Sequence, residues 1–166
     1  LVLGACGGGA GNHFAAGDMQ TVTGDGFTVQ MPGKPARETV PIPTGAGTVQ
    51  ASVYTVKNDH EAFLVSASPL PAGARADLKA VLSGGASAVS GNVRDDAATT
   101  YQGYPAREGR VPDAQNNGGK GTVFVRVILV AKGGKQVLYH LQYVRKGADA
   151  TAPALYKQFL ASLKIQ

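Results

Sequence analysis

The stretch TVFVRVILVAKGGKQVLYHLQYVR, residues 122–145, decides the fold of the chain. It holds two apolar runs on either side of Gly133-Gly134, and two glycines tolerate the positive φ angles that two-residue hairpin turns require. With this turn, Phe124 faces Tyr143 across the hairpin, because the numbers of opposite residues sum to 267. Both faces of the hairpin are then largely apolar, which predicts a central position in a sheet that is covered on both sides.

Further strands are predicted before this hairpin in the sequence. Alternation of apolar and polar residues predicts strands at residues 27–31, 49–57, 62–65, 93–101 and 104–111. Pro41 and Pro43 flank Ile42, and a proline nitrogen cannot donate a hydrogen bond to a neighbouring strand in the middle of a sheet. Residues 40–42 are therefore predicted to form an edge strand. A polar and mobile loop is expected at residues 112–121, between the last two strand regions.

The spacing of apolar residues predicts a helix over residues 78–89. Asp77 stands near its start, and Gly84-Gly85 lies in its middle. Each internal glycine costs about 1 kcal/mol relative to alanine. This helix is therefore either held by packing or lies with its backbone unusually close to the sheet.

A second helix closes the chain. It begins at Thr151-Ala152-Pro153, a capped start with proline in the first turn. One apolar stripe follows at Leu155, Phe159, Leu160 and Leu163. The order of strands, one helix, four strands and a last helix predicts an α+β fold, in which a mostly antiparallel sheet has helices packed on it.

The composition limits the classes of function. A length of 166 residues fits one ordinary domain, and a single cysteine excludes an internal disulfide, a cysteine zinc cage and a redox pair. The chain contains no glycine-rich phosphate loop, nucleophile elbow or paired-histidine motif. We therefore expect no enzyme activity, no cofactor and no metal site.

The single cysteine lies in an informative position. Leu3-Gly4-Ala5-Cys6 resembles the lipobox of bacterial lipoproteins, in which the cysteine thiol receives a diacylglyceryl group. The alternative, an inert cysteine in a buried strand, fits poorly with the glycines that follow. We expect residues 1–5 to be a remnant of the signal peptide, residues 6–24 a lipidated flexible tether and residues 25–166 the single domain. The chain would then be extracytoplasmic and anchored to a bacterial membrane through Cys6.

Three short motifs resemble those of the PsbP-like family. They are GFTVQMPGKP at residues 26–35, YQGYPARE at residues 101–108 and FLASLK at residues 159–164. The resemblance, which extends to bacterial envelope lipoproteins of the LpqN type, implies an antiparallel sheet sandwiched between helices. It also implies an accessory or interaction role with no shared catalytic centre.

Arg126 is the unusual residue of the central hairpin, on the face that carries Tyr139 and Tyr143. It either anchors an anionic ligand through charge-assisted hydrogen bonds or stacks on aromatic rings with its head group at the solvent. Tyr104 and Arg107 form a second weak candidate for a ligand or partner site. The alternative for Arg107 is a structural ion pair in the strand.

Other titratable residues offer weaker signals. His140 is either a core histidine with satisfied hydrogen bonds or a general base. Asp59, His60 and Glu61 are consecutive in the chain, and three consecutive residues rarely converge on one metal ion. Asp95-Asp96 has no evident partner in the sequence.

The charge is unevenly distributed along the chain. Residues 1–100 hold six basic and eight acidic groups, a net charge of −2, whereas residues 101–166 hold ten and three, a net charge of +7. This predicts either a basic face toward anionic lipid or an acidic envelope polymer, or merely solubilising lysines; a nucleic-acid partner is not expected. We expect a non-enzymatic module that binds an envelope protein or an anionic envelope component. The alternative is a carrier of a small amphiphilic or anionic ligand, in a pocket between a helix and the aromatic face of the hairpin.

Overall fold

A computed structural model describes residues 13–44, 47–116, 119–147 and 150–166, with ten strands and two α-helices in these ranges. Cys6 and the rest of the predicted signal remnant and early tether lie outside the described residues. The strands are β1 (Met19–Gly24), β2 (Phe27–Pro32), β3 (Ala36–Thr44), β4 (Gly47–Lys57), β5 (Glu61–Leu70), β6 (Arg94–Tyr101), β7 (Tyr104–Asn116), β8 (Gly119–Lys132), β9 (Lys135–Lys146) and β10 (Lys164–Ile165). The helices are α1 (Leu78–Ala88) and α2 (Ala154–Ser162).

Seven of the strands form the main sheet, in the order β3-β4-β5-β9-β8-β7-β6. Every neighbouring pair in it is antiparallel, which confirms the predicted sheet. The hairpin β8-β9 lies at its centre with the predicted register, so that Phe124 is opposite Tyr143. Gly133 and Gly134 have φ angles of 59° and 75°, as the two-residue turn requires. The proline-containing β3 is an edge strand, as predicted.

Different elements cover the two faces of the main sheet. Helix α1 packs Leu82 against Val125 and Val127 on one face. On the other face lie α2 and a small antiparallel sheet of order β1-β2-β10, with Phe27 and Phe159 fully buried. The predicted α+β layering is therefore confirmed, and the small sheet is an addition that the sequence patterns do not predict.

Helix α1 begins after Asp77, whose carboxylate accepts hydrogen bonds from the backbone N–H groups of Lys79 and Ala80. Gly84 and Gly85 are exposed, and a Cβ atom at either position would meet nothing within 4 Å. The proposed close approach of this backbone to the sheet is therefore wrong. The helix is held by packing of its buried residues.

The predicted loop at residues 112–121 is wrong. Strand β7 continues to Asn116 and β8 begins at Gly119, so most of this segment belongs to one long hairpin. The register shifts between Val111 and Ala114, and this irregularity accommodates Pro112 without a ladder hydrogen bond from its nitrogen. A proline followed by polar residues resembles a loop in sequence, but here it marks a bulge.

The predicted tether is also wrong where the structure describes it. Strand β1 pairs with β2 along its whole length, and Val22 is buried. Upstream of it, Phe14 packs against the core, and its backbone N–H donates to Oε1 of Glu61 over 2.7 Å. The folded domain therefore begins before residue 25. Within the described residues, no helix is long and apolar enough to cross a membrane.

Candidate functional site

Arg126 lies in the middle of the apolar strand β8 with a side chain that is only 16% exposed. Its guanidinium carbon is 5.3 Å from the centroid of the Tyr101 ring, and its Nη2 donates to Oε2 of Glu108 over 3.1 Å. Its Nε–H group is buried and has no hydrogen-bond partner in the described part of the chain. A guanidinium carries five N–H donors, so Glu108 satisfies it only in part.

A second ion pair lies beside the first on the same face of the sheet. Arg110 is two residues from Glu108 on β7, and its Nε donates to Oδ2 of Asp95 over 2.9 Å. In both pairs the arginine is the less exposed partner, at 16% against 38% for Glu108 and 26% against 69% for Asp95. The two carboxylates can therefore turn toward solvent more easily than Arg126 and Arg110 can.

An open cleft of about 520 Å³ lies between these ion pairs and the start of α2. Its size is in the range of small-ligand sites. The rings of Phe124 and Tyr156 line it, with their centroids 5.7 Å apart. The other lining residues are Asp95, Glu108, Gly109, Arg110, Val125, Ala150, Thr151 and Ala152.

Tyr156 contributes an unused hydroxyl group to this cleft. The residue is 6% exposed, and within the described ranges its hydroxyl makes no hydrogen bond. Burial raises the pKa of Tyr156, the positive charge of Arg126 lowers it and the negative charge of Glu108 raises it. The hydroxyl is therefore protonated at neutral pH, and it is close enough to the Arg126–Glu108 pair to respond to both charges.

Tyr139 and Tyr143 do not line the cleft. Both are buried, and their hydroxyls donate to the carbonyl oxygen of Gly26 and to Oε2 of Glu61. Residues of α2 and of the chain after it fill the space over these rings, chiefly Leu155, Phe159 and Leu163. These two tyrosines, which were weak candidates for a ligand or partner site, are buried core residues in the structure.

Tyr104 and Arg107 are not brought to Arg126 either. Tyr104 packs at the margin of the core, and Arg107 points to the opposite face of the sheet, since it is one residue from Glu108. Two nitrogen atoms of Arg107 donate to the two carboxylate oxygens of Asp96. This hydrogen-bonded pairing lowers the pKa of Asp96, and it is the structural ion pair that was the alternative for Arg107.

The remaining candidates have structural surroundings. Asp95 and Asp96, for which the sequence showed no evident partner, pair with Arg110 and Arg107 in the structure. Desolvation lowers the pKa of His140 to about 4, so this half-buried histidine is neutral at neutral pH. Around Asp59-His60-Glu61, as elsewhere among the described residues, no group of three potential ligands could hold a metal ion.

Sequence reasoning missed most residues of this site, including two aromatic ones, Tyr156 and Tyr101. Tyr156 is three residues before Phe159 and belongs to the same helical stripe, so the periodicity of α2 could have identified it. Tyr101 gave no such signal, because its contact with Arg126 depends on how β6 lies against β8 across β7.

Comparisons with known proteins support the fold. No protein-family model matches the chain, and no curated protein matches it significantly. Among solved structures, the chain is similar to the solution structure of cyanobacterial PsbP (CyanoP) from Synechocystis sp. PCC 6803, with a TM-score of 0.54 and 16% sequence identity over 99% of each chain. The chain therefore has a PsbP-like fold.

Proposed function

We propose that this chain is a lipid-anchored, extracytoplasmic module of a bacterial cell envelope that binds its partner without catalysis. The cleft beside α2 carries the proposal, because its lining combines apolar side chains with Tyr156, whose hydroxyl has no hydrogen-bond partner among the described residues. The lining also includes Glu108, the partner of Arg126, whose Nε–H group is unsatisfied within the described part of the chain. Pockets that bind ligands are mostly apolar and contain a few placed polar groups. The partner is an envelope protein or an anionic envelope component.

Membrane attachment is proposed on the basis of Leu3-Gly4-Ala5-Cys6. A diacylglyceryl group supplies two acyl chains, and two chains give stable anchoring where one gives only marginal binding. Phe14, eight residues after Cys6, already packs against the core, so an anchor at Cys6 would hold the domain near the membrane surface.

The chemistry of the cleft supports binding rather than catalysis. Its charged side chains are in ion pairs, and its lining, as far as the described residues form it, includes no histidine, cysteine or serine. Acyl and phosphoryl transfer enzymes need a nucleophile with a neighbouring base, or a metal ion. The cleft presents donors and an aromatic surface, which are the groups of a recognition site.

Lipidation is tested by expressing the chain behind a basic leader in a bacterium that is fed radioactive palmitate. Cys6→Ala is expected to remove the label and to move the protein from the membrane fraction to the soluble fraction. Ala5→Gly, which keeps a small residue before the cysteine, is expected to retain both properties. An unlabelled parent chain, or an unchanged membrane fraction for Cys6→Ala, would contradict anchoring.

The binding role is tested with a photo-cross-linking amino acid at Thr151, at the rim of the cleft. A specific adduct is expected in intact cells, and it should disappear when Arg126→Gln is added. The matched control places the same amino acid at Ser83, which is exposed on α1 on the opposite face of the sheet. Identical adducts from both positions would show that the cleft is not the binding site.

A carrier of a small amphiphilic or anionic ligand is the second candidate, and the volume of the cleft favours it. A carrier would retain a stoichiometric small molecule after gentle purification. Native mass spectrometry of the purified chain should then show a mass increment that is lost on denaturation. A partner-binding module would show the Thr151 adduct and no such increment.

A further inference from the structure

We infer that the cleft recognises an anionic head group, a carboxylate or a phosphate, attached to an apolar chain. Arg126 would bind the head group once the carboxylate of Glu108, which lines the cleft, has turned away from it, and the Phe124 ring would contact the apolar part. This inference rests on the proposed binding role of the cleft and adds the chemical class of the ligand.

The distribution of exposure favours an anion over a cation. Arg110, Glu108 and Asp95 line the cleft, and Arg126 is paired with Glu108 just outside the lining, so the formal charges of these two ion pairs balance. The carboxylates of Glu108 and Asp95 are the exposed partners and can turn into solvent, whereas Arg126 is held against the Tyr101 ring. An incoming anion can therefore replace a carboxylate on an arginine that stays in place. An incoming cation would need to displace a side chain that is largely buried.

Tyr156 and the start of α2 supply further donors near the cleft. The Tyr156 hydroxyl is an unpartnered polar group on a side chain that is more than nine-tenths buried, and it lines the cleft. Helix α2 starts beside it, and its N-cap residue, Pro153, has no side chain that could cap the first N–H groups. The N–H group of Tyr156 donates to the carbonyl oxygen of Pro153, and the N-terminus of a helix favours a negative charge. The Tyr156 hydroxyl is also close enough to Arg126 to respond to its positive charge.

Glu108 acts in this arrangement as an intramolecular competitor. Its carboxylate holds a single hydrogen bond from Arg126, and the Nε–H group of the arginine stays unsatisfied. A planar anion can accept two parallel hydrogen bonds from a guanidinium, which makes it a stronger partner than a side chain that reaches only one. Removing the charge of Glu108 should therefore strengthen binding, which is the opposite of the effect expected for a residue that merely supports the fold.

The inference is tested by calorimetric titration of the full chain with four probes that share a ten-carbon tail, below their micelle concentrations. They are decanoate, decyl phosphate, decanol and decylammonium. At least one of the two anions is expected to bind about tenfold more tightly than decanol and decylammonium. The tighter of the two anions then identifies the head group. Equal binding of decanol, tighter binding of decylammonium, or no binding of either anion would overturn the inference.

Three variants assign the effect to the cleft. Arg126→Gln should weaken binding of the preferred anion about tenfold, and Glu108→Gln should strengthen it about fivefold. Arg107→Gln is the matched control on the opposite face and should leave binding unchanged. Weaker binding by Glu108→Gln would contradict the competition. Loss of anion preference together with a persistent Thr151 adduct would overturn this inference and leave the proposed function standing.

Discussion

The hydroxyl group of Tyr143 donates a hydrogen bond to Oε2 of Glu61 over 2.5 Å, in the interior of the domain. The other carboxylate oxygen of Glu61 accepts the backbone N–H of Phe14 over 2.7 Å and lies 3.5 Å from Nδ1 of His13. One buried carboxylate thus joins the central strand β9 to the segment that leads into the domain. Burial raises the pKa of Tyr143, with a further contribution from its hydrogen bond to Glu61, so the phenol remains a donor.

Tyr143→Phe removes this donor and leaves the buried carboxylate of Glu61 with fewer partners. The free energy of unfolding is expected to fall by about 1.5–3 kcal/mol, the range for hydrogen bonds to charged groups. Urea denaturation followed by circular dichroism measures the change. The matched control is Tyr156→Phe, which removes a hydroxyl that has no partner and should change stability by less than about 0.5 kcal/mol. Equal losses in the two variants would show that the Tyr143 bond contributes nothing specific.

The parts of the fold that depend on local pattern were predictable from the sequence. The register of β8-β9 follows from Gly133-Gly134 and from alternation within the strands, both of which are contained in one stretch. Strands β1 and β10 were not predictable, because their apolar content is small. They form because β2 pairs with both of them and packs under α2, at large sequence separations.

The candidate site also contains one part that the sequence predicts and another that depends on tertiary packing. Arg126 is visible in the sequence as a charge in an apolar strand, but its partner is not. Glu108 lies opposite Arg126 because of the register of β7 on β8, and the irregularity between Val111 and Ala114 contributes to setting that register. Tyr156 reaches the cleft only through the docking of α2. The sequence therefore identified one residue of the site, and tertiary packing supplied the others.

The internal glycines of the chain should respond in opposite directions to alanine. Gly84→Ala in α1 adds a methyl group in open space and removes a poor helix former, so stability should rise by about 1 kcal/mol. Gly109→Ala in β7 places a Cβ atom 2.6 Å from Cγ1 of Val93, beneath α1, so stability should fall by about 1–3 kcal/mol. Thermal unfolding of both variants checks the prediction. Destabilisation by Gly84→Ala would indicate that α1 packs more closely there than the structure shows.

The turn between β6 and β7 holds the C-terminal end of the chain. The Tyr101 hydroxyl lies 2.7 Å from the carbonyl oxygen of Leu163, and the Gln102 side chain donates to the same oxygen and accepts from the N–H of Ile165. Tyr101→Phe keeps the ring beside Arg126 and removes the hydroxyl. Amide hydrogen exchange of Ile165 should then become about tenfold faster, as expected for a loss of about 1.4 kcal/mol in local stability.

Tyr104→Phe is the matched control for this turn. Tyr104 belongs to the same turn motif, and no hydrogen bond of its hydroxyl occurs within the described residues. The exchange rate of Ile165 should stay as in the parent chain. If exchange of Ile165 became faster in Tyr104→Phe and not in Tyr101→Phe, the assignment of this contact to Tyr101 would be wrong.

His140 should make the domain sensitive to mild acid. Burial lowers its pKa to about 4 in the folded chain, whereas an unfolded histidine titrates near 6.5. The unfolded state therefore binds more protons between these values, and stability falls as the pH decreases through this window. Between pH 7 and pH 5 the free energy of unfolding should drop by about 2 kcal/mol. Urea titrations across this range should show a much smaller drop in His140→Gln, and the full drop in His60→Gln, whose side chain is exposed. A pH dependence that persists unchanged in His140→Gln would contradict the assignment.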